Sequence, residues 1–161
     1  MDNNLTKVLF RYYSDVLEDD VVETMWAEII DDQKGLYKLD SIPFYGPMIS
    51  CGDVFKATYD EVEEILVFNE VLEFSGNSVI QIIIMNENFD KEILRKRLLE
   101  YGCESEGVND KYFVVDIPSE IDYLEVKKML EEFESKALIQ FAEPVLSNQH
   151  FNDINIHNFN S

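Results

Sequence analysis

This chain of 161 residues has few basic residues, few cysteines and no long apolar run. Its 13 lysines and arginines oppose 33 aspartates and glutamates, which gives a formal net charge of −20. Nucleic acid is excluded as a partner because neutralising phosphates requires a lysine or arginine patch, and an anionic membrane surface repels the same charge. Such a surface attracts a basic protein partner, and it equally favours plain solubility.

No segment predicts export or membrane insertion. Even the longest apolar runs, such as Ile82 to Met85, are far too short to cross a bilayer. The first four residues, Met-Asp-Asn-Asn, lack the basic and apolar blocks of a signal peptide. Cys51 and Cys103 lie in different segments, as expected of reduced thiols in a cytosolic protein. We therefore predict a cytoplasmic protein.

No catalytic constellation or metal site is recognisable in the sequence. The only histidines, His150 and His157, lie close to the C-terminus, so Cys51 has no base beside it and is interpreted as a small apolar side chain. Asp53 is interpreted as a turn residue that accepts hydrogen bonds from backbone amides. The spacing of His150, Asp153 and His157 is ligand-like, but a fourth ligand and supporting groups are missing. We predict no enzymatic activity, no metal and no cofactor.

The first half of the chain is predicted to be β-rich. Five segments rich in apolar, β-branched and aromatic residues extend over 5–13, 21–30, 36–42, 54–59 and 65–74. Proline and glycine concentrate between Leu36 and Ala57, where they predict a constrained crossing between two strands. Short turns without a clear helix predict a small β-barrel-like lobe over residues 1–76.

The pattern changes after Ser75-Gly76-Asn77-Ser78, which marks the lobe boundary. Strands are predicted over 79–85, 103–108, 111–117 and 138–146, with one helix over 90–101 and a second that Asp122 caps. The order β-α-β-β-α-β predicts a ferredoxin-like lobe over residues 77–146, and hence an α+β protein. The Asn-rich remainder, residues 147–161, is predicted to be a mobile tail.

Several short motifs form an ordered set across roughly residues 21 to 118. They are Trp26-Ala27-Glu28, Tyr37, Leu39, Ile42-Pro43-Phe44-Tyr45, Gly52-Asp53-Val54, Ser75-Gly76-Asn77-Ser78, Gly102-Cys103, Glu106-Gly107 and Val115-Asp116-Ile117-Pro118. The set resembles a bacterial family catalogued as a domain of unknown function, number 4265. The resemblance implies a fold and a bacterial origin, and it brings no catalytic residues.

The acidic turns supply the candidate partner contacts. Residues 1–76 hold 17 acidic and 5 basic residues, a net charge of −12, although they are the shorter part of the chain. Turn carboxylates on a barrel are expected to project on one side, and a merely solvated face is an equally good interpretation. The eight candidates share a position in a predicted turn: Glu18, Asp19, Asp20, Asp31, Asp32, Glu61, Glu63 and Glu64.

These features lead to the hypothesis of a non-enzymatic partner-binding protein. In its sharper form the chain is an immunity-type inhibitor whose acidic turns occlude the basic cleft of a toxin such as a nuclease, by analogy with other small acidic bacterial proteins. Electrostatic steering would speed encounter, and aromatic anchors would supply affinity. Trp26 is either such an anchor or a core residue, and the core is favoured. The alternative is a small-molecule sensor that uses the ferredoxin-like lobe.

Overall fold

The computed structural model describes residues 4–14, 17–45 and 48–159, with the backbone alone for residues 156–159. The chain divides into two compact units, Met1–Ser75 and Gly76–Ser161. Among the described residues, two mainly antiparallel sheets and three helices give a mixed α+β fold, as the sequence predicted.

The first unit is a closed ring of five strands. Each strand is antiparallel to the next, and β1 also pairs with β5 in parallel, with Val8 opposite Leu66 and Leu9 opposite Val67. Because both edges of the sheet meet in this pairing, neither is left as a long open edge. The strands are β1 Leu5–Ser14, β2 Asp19–Asp31, β3 Leu36–Leu39, β4 Val54–Asp60 and β5 Ile65–Glu73.

Alternating inward side chains fill the ring with aromatic groups. Phe10 of β1 packs on Phe55 of β4 and Phe68 of β5, with ring centroids 5.5 and 4.9 Å away. Tyr37 of β3 lies 6.0 Å from Phe55 between ring centroids. The outward neighbours in each strand are mostly exposed. This alternation decides which side chains of the first unit can meet a partner.

The second unit follows the predicted β-α-β-β-α-β order and then adds a helix. Its four strands pair in the order β7-β8-β6-β9, and every neighbouring pair is antiparallel. The elements are β6 Ser78–Ile84, α1 Lys91–Glu100, β7 Ser105–Asn109, β8 Tyr112–Ile117, α2 Tyr123–Ser135, β9 Ile139–Val145 and α3 Asn148–Phe159.

One face of this sheet and the first two helices share a single apolar cluster. Ile80 and Ile82 of β6 lie in it with Leu94 of α1 and Leu130 of α2. Asp122 caps α2 as predicted, since its side chain accepts a hydrogen bond of 3.0 Å from the backbone N–H of Leu124.

The segment predicted as a mobile tail contains α3 instead. Polar side chains fasten this helix: His150 is fully buried, and Asp153 accepts a hydrogen bond from the backbone N–H of Tyr123 at 3.1 Å. The prediction relied on the shortage of apolar residues and did not consider that polar groups can hold a helix when each finds a partner. Residues 160 and 161 lie outside the described part of the chain.

Candidate functional site

The turn between β4 and β5 presents the most concentrated negative charge of the first unit. Its five residues, Asp60 to Glu64, include four carboxylates. Asp60 folds the turn from within, because one of its carboxylate oxygens accepts hydrogen bonds from the backbone N–H groups of Val62, at 2.8 Å, and Glu63, at 3.1 Å. The N–H groups of Glu63 and Val62 hold the pKa of Asp60 below its ordinary 3.8.

The tip of this turn is apolar. The side chain of Val62 is 91% exposed and stands between Glu61 and Glu63. Glu64 closes the turn with a positive φ of 56° and with a 2.8 Å hydrogen bond from its N–H to the Asp60 carbonyl. We call residues 60–64 the acidic turn. It combines a fixed backbone, an exposed apolar tip and flanking negative charge.

Replacing Asp60 by alanine is expected to loosen the acidic turn. The backbone N–H groups of Val62 and Glu63 lose their acceptor, so their hydrogen exchange should accelerate several-fold in NMR measurements. Because the pKa of Asp60 is lowered in the folded state, its contribution is present above 3.8 and is lost as the pH falls through the folded pKa. An Asp32→Ala control should leave both amides unchanged; equal exchange in the wild type and the Asp60 variant would show that the carboxylate does not hold the turn.

The turn between β2 and β3 lies beside β4. The N–H of Ala57 donates to the carbonyl of Gly35 at 3.0 Å, which holds this turn against the strand that leads to the acidic turn. Gly35 has a φ of +70°, and an added Cβ would lie 2.8 Å from the Ala57 carbonyl oxygen, so the close approach requires glycine. Asp31 accepts hydrogen bonds of 3.1 Å from the N–H groups of Gln33 and Lys34.

The carboxylates of the β1–β2 turn lie at the other end of β2. Glu18, Asp19 and Asp20 precede or begin this strand, whereas Asp31 ends it. At about 3.3 Å per residue, Asp20 and Asp31 are roughly 36 Å apart along a straight strand. The structure therefore distributes the eight candidate carboxylates over three turns and does not gather them in one cluster.

An ion pair connects the acidic turn to β1. Glu63 bonds to the guanidinium of Arg11, and both side chains are about half-exposed. Arg11 also borders a shallow depression of about 380 Å³ near the β1–β2 hairpin, together with Tyr12, Tyr13 and Asp20. Of the acidic-turn carboxylates, Glu63 is thus engaged within the chain, and Glu61 and Glu64 are the better candidates for a partner.

Trp26 is not a core residue, contrary to the favoured prediction. Met25 and Ala27 point into the ring, so Trp26 lies on its outer surface with 47% of its area exposed. The ammonium of Lys7, directly opposite on β1, lies 5.1 Å from the indole centroid. The alternation of side chains along a strand places Trp26 on the opposite face from Met25 and Ala27. The prediction relied on the general burial of tryptophan instead.

Asp53 has the backbone-binding role that the sequence predicted. Its carboxylate is fully buried and accepts hydrogen bonds from the N–H of Ser50 at 3.0 Å, the Ser50 hydroxyl at 3.1 Å and the N–H of Ser75 at 2.8 Å. The Ser75 hydroxyl donates to the Cys51 carbonyl at 2.8 Å. Because the two Ser50 donors and the Ser75 N–H bind the Asp53 carboxylate, which is not exposed to solvent, this carboxylate holds the β3–β4 crossing.

Glu23 holds the next part of the same crossing and was missed in the sequence. Its carboxylate accepts hydrogen bonds from the N–H groups of Phe44, at 2.9 Å, and Tyr45, at 3.1 Å. Burial raises the pKa of Glu23 above its ordinary 4.5, against the lowering effect of these N–H groups. A lone glutamate at an inward position of a strand is the signal that could have identified it.

The two thiols are expected to react at very different rates. Cys103 is fully buried, and this burial, followed by the nearby charges of Asp116 and Glu120, raises the pKa of its thiol to about 12. Cys51 is only partly buried. Ellman's reagent should therefore modify Cys51 in the native protein and reach Cys103 only after unfolding, because the thiolate is the reactive form. Rapid reaction of the native Cys51→Ala variant, whose remaining thiol is Cys103, would contradict this placement.

The described side chains form no group of three or more histidine, cysteine, aspartate or glutamate residues that could hold a metal ion. His150, one member of the ligand-like spacing, is engaged with Ser78 and Pro118, and the side chain of His157 lies outside the described part. No helix within the described ranges is long and apolar enough to cross a membrane.

Comparisons with known proteins give a family and a fold. A family model described as a domain of unknown function, DUF4265, matches residues 23–141. No curated protein matches the sequence. A solved structure of a hypothetical protein from Neisseria gonorrhoeae is similar over 91% of this chain and 99% of that chain, with a TM-score of 0.76 and 21% sequence identity. At this identity the likeness concerns the fold alone.

Proposed function

This chain belongs to the DUF4265 family, as its motifs predicted, and we propose that it is a non-enzymatic protein that binds a basic protein partner. In the sharper form of the proposal it is an immunity-type inhibitor that occludes the basic active cleft of a toxin such as a nuclease. The acidic turn is the observation that carries the proposal, because it unites a fixed backbone, an exposed Val62 and flanking glutamates.

We also propose a more specific fold for each of the two units. We interpret the closed ring of five strands as a small barrel, whose turns serve as the binding elements. We interpret the second unit as a ferredoxin-like domain with an added C-terminal helix. The strand order β7-β8-β6-β9, with antiparallel neighbours and two crossover helices, supports this interpretation.

Binding is proposed to take place in two steps, an electrostatically steered encounter and an apolar contact. The net charge of −20 speeds encounter with a positively charged partner, and the carboxylates of the acidic turn give that approach a direction. Val62 at the tip then supplies an apolar contact that enters a cleft, with the half-exposed Tyr59 ring beside the turn in sequence. Occlusion of a cleft needs no catalytic group on the inhibitor.

Affinity capture from a lysate of the source cells tests the proposal. The wild-type chain, immobilised, should retain a basic protein at low salt and lose it at high salt, because salt screens the attraction between exposed charges. A variant with Glu61→Lys and Glu64→Lys should capture much less of it. Glu63 is left in place because its replacement would also break the pair with Arg11.

A matched control separates the acidic turn from overall charge. Glu131→Lys with Glu134→Lys makes the same change in net charge on exposed positions of α2. The control should keep most of the capture. Recovery of the chain alone at both salt concentrations would overturn the proposal and favour the small-molecule sensor.

A further inference from the structure

The C-terminal helix α3 is held in the second unit mainly by polar groups. Gln149 donates a hydrogen bond to the Ser119 carbonyl, and Asp153 accepts one from the backbone N–H of Tyr123 at 3.1 Å. Ile154 packs against the apolar cluster of this unit from a partly buried position. Because apolar burial on α3 is small, the stability of the docked helix depends on whether its polar contacts can form.

His150 is the fully buried member of these polar groups, and its contacts require a neutral imidazole. The Pro118 carbonyl, 3.0 Å from Nε2, can only accept, so Nε2 carries the proton. Nδ1 is left to accept from the Ser78 hydroxyl at 2.6 Å. A second proton on Nδ1 would meet the hydroxyl hydrogen of Ser78, whose oxygen already accepts from the N–H of Ser147 at 2.9 Å.

The acidic groups on α3 and on the segment after Pro118 are engaged elsewhere or exposed. Asp153 bonds to the N–H of Tyr123, and Asp122 caps α2. Glu120 is exposed. Among the described side chains, no salt bridge joins His150 to a carboxylate. None of these acids is therefore paired with the imidazole.

The other groups that pack around the ring also provide no counter-ion bonded to it. The Tyr123 ring lies 5.8 Å away between ring centroids, and burial, followed by the hydrogen bond to Glu143, raises the pKa of its hydroxyl above the ordinary 10.0. Glu143 of β9 is also paired with Lys127 of α2 at 3.2 Å. Ser78 of β6 is uncharged. A proton on His150 would thus be a buried charge without a bonded carboxylate, which is strongly unfavourable.

We propose that α3 is a pH-sensitive switch, docked while His150 is neutral and detached when this histidine is protonated. In the detached state the imidazole is in water, where a histidine takes up a proton below a pH of about 6.5. The detached state then binds more protons than the docked state, so the docked state loses stability as the pH falls below this value. Each pH unit shifts the equilibrium by up to about tenfold.

This switch is independent of the proposed toxin binding, because it uses residues of the second unit alone. Detachment uncovers Tyr123 and the part of the apolar cluster against which Ile154 packs. Carboxylates with ordinary pKa values remain largely ionised at a pH of about 5. The interval between about pH 7.5 and about pH 5 therefore isolates the effect of histidine.

Hydrogen exchange by mass spectrometry of the full chain at these two pH values tests the proposal, with labelling times corrected for the pH dependence of intrinsic exchange. Protection of α3 peptides in the wild type should fall by about tenfold or more at the lower pH. Peptides of α1 should keep their protection. Equal protection of α3 at both pH values would overturn the proposal, and so would an equal loss in α1 and α3, which would indicate unfolding of the whole unit.

The two histidines of the chain provide the matched variants. His150→Gln removes the titrating group, so its α3 peptides should be less protected than the wild type at the higher pH and should change little between the two. His157→Gln should keep the pH dependence of the wild type. A pH-dependent loss of wild-type size in His150→Gln would show that another group is responsible.

NMR titration of the wild type decides the matter even where His150→Gln retains no protection of α3. The imidazole C–H signals of His150, assigned by comparison with the His157→Gln variant, should report protonation in the same pH interval in which the α3 amides lose protection. Protonation of His150 while α3 stays protected would contradict the switch.

Discussion

Replacing Asp53 by alanine is expected to lower the free energy of unfolding of the first unit by roughly 3 to 5 kcal/mol. The variant leaves the N–H of Ser50, the N–H of Ser75 and the Ser50 hydroxyl without this acceptor; the two Ser50 donors are buried, and the Ser75 N–H is partly buried. An unsatisfied buried donor carries its full desolvation penalty, and a partly buried donor carries a share of it. The β3–β4 crossing and the end of β5 should loosen together.

Urea unfolding followed by Trp26 fluorescence measures this effect, because the only tryptophan of the chain lies in the first unit. Asp40→Ala is the control, since Asp40 is an exposed residue on the same crossing. The control should unfold close to the wild type. An Asp53 variant with the wild-type midpoint and slope would show that the buried carboxylate does not hold the crossing.

Replacing His150 by alanine is expected to destabilise the second unit by about 3 kcal/mol. The imidazole Nε2–H donates to the Pro118 carbonyl at 3.0 Å, which leaves Nδ1 to accept from the Ser78 hydroxyl at 2.6 Å. The Ser78 oxygen in turn accepts from the N–H of Ser147 at 2.9 Å. Removing the ring opens a cavity beside Tyr123, whose ring centroid lies 5.8 Å away, and breaks a chain of buried hydrogen bonds.

Hydrogen exchange by mass spectrometry, read for peptides of α3 and β6, locates the loss. The peptides of both elements should lose protection in the His150 variant, because Ser78 is the first residue of β6 and His150 lies in the first turn of α3. Phe151→Ala, a half-exposed neighbour on the same helix, should change protection little. Unchanged protection of α3 in the His150 variant would mean that the helix is held by other contacts.

Local patterns of the sequence predicted most of the secondary structure. Apolar alternation placed the strands of the first unit to within a few residues, and the Asp122 cap marked the start of α2. The parallel pairing of β1 with β5, with Val8 opposite Leu66, joins segments 58 residues apart. No local signal specifies such a pairing, because it depends on the twist and tilt of all five strands.

The features that the sequence did not predict depend on hydrogen bonds between polar groups far apart in the chain. His150 is bonded to Ser78, 72 positions away, and Glu23 to Phe44, 21 positions away. Such pairs have no period and no composition signature, so the Asn-rich segment that contains His150 was predicted to be a mobile tail. The site prediction failed for a different reason: the predicted strand over 21–30 already separates Asp20 from Asp31, which lie at the two ends of β2, yet the acidic turns were expected to project on one side. Which carboxylates face a partner together is a property of strand length and direction.

The most direct test of the proposed function is the association rate of the captured basic protein with the wild-type chain, measured at low and high salt by surface plasmon resonance. The wild type should associate fast at low salt and much more slowly at high salt. The Glu61→Lys, Glu64→Lys variant should associate about tenfold more slowly at low salt and lose much of the salt dependence, while Glu131→Lys with Glu134→Lys keeps most of both. Equal rates and equal salt dependence for the wild type and the acidic-turn variant would contradict a partner-binding role for the acidic turn.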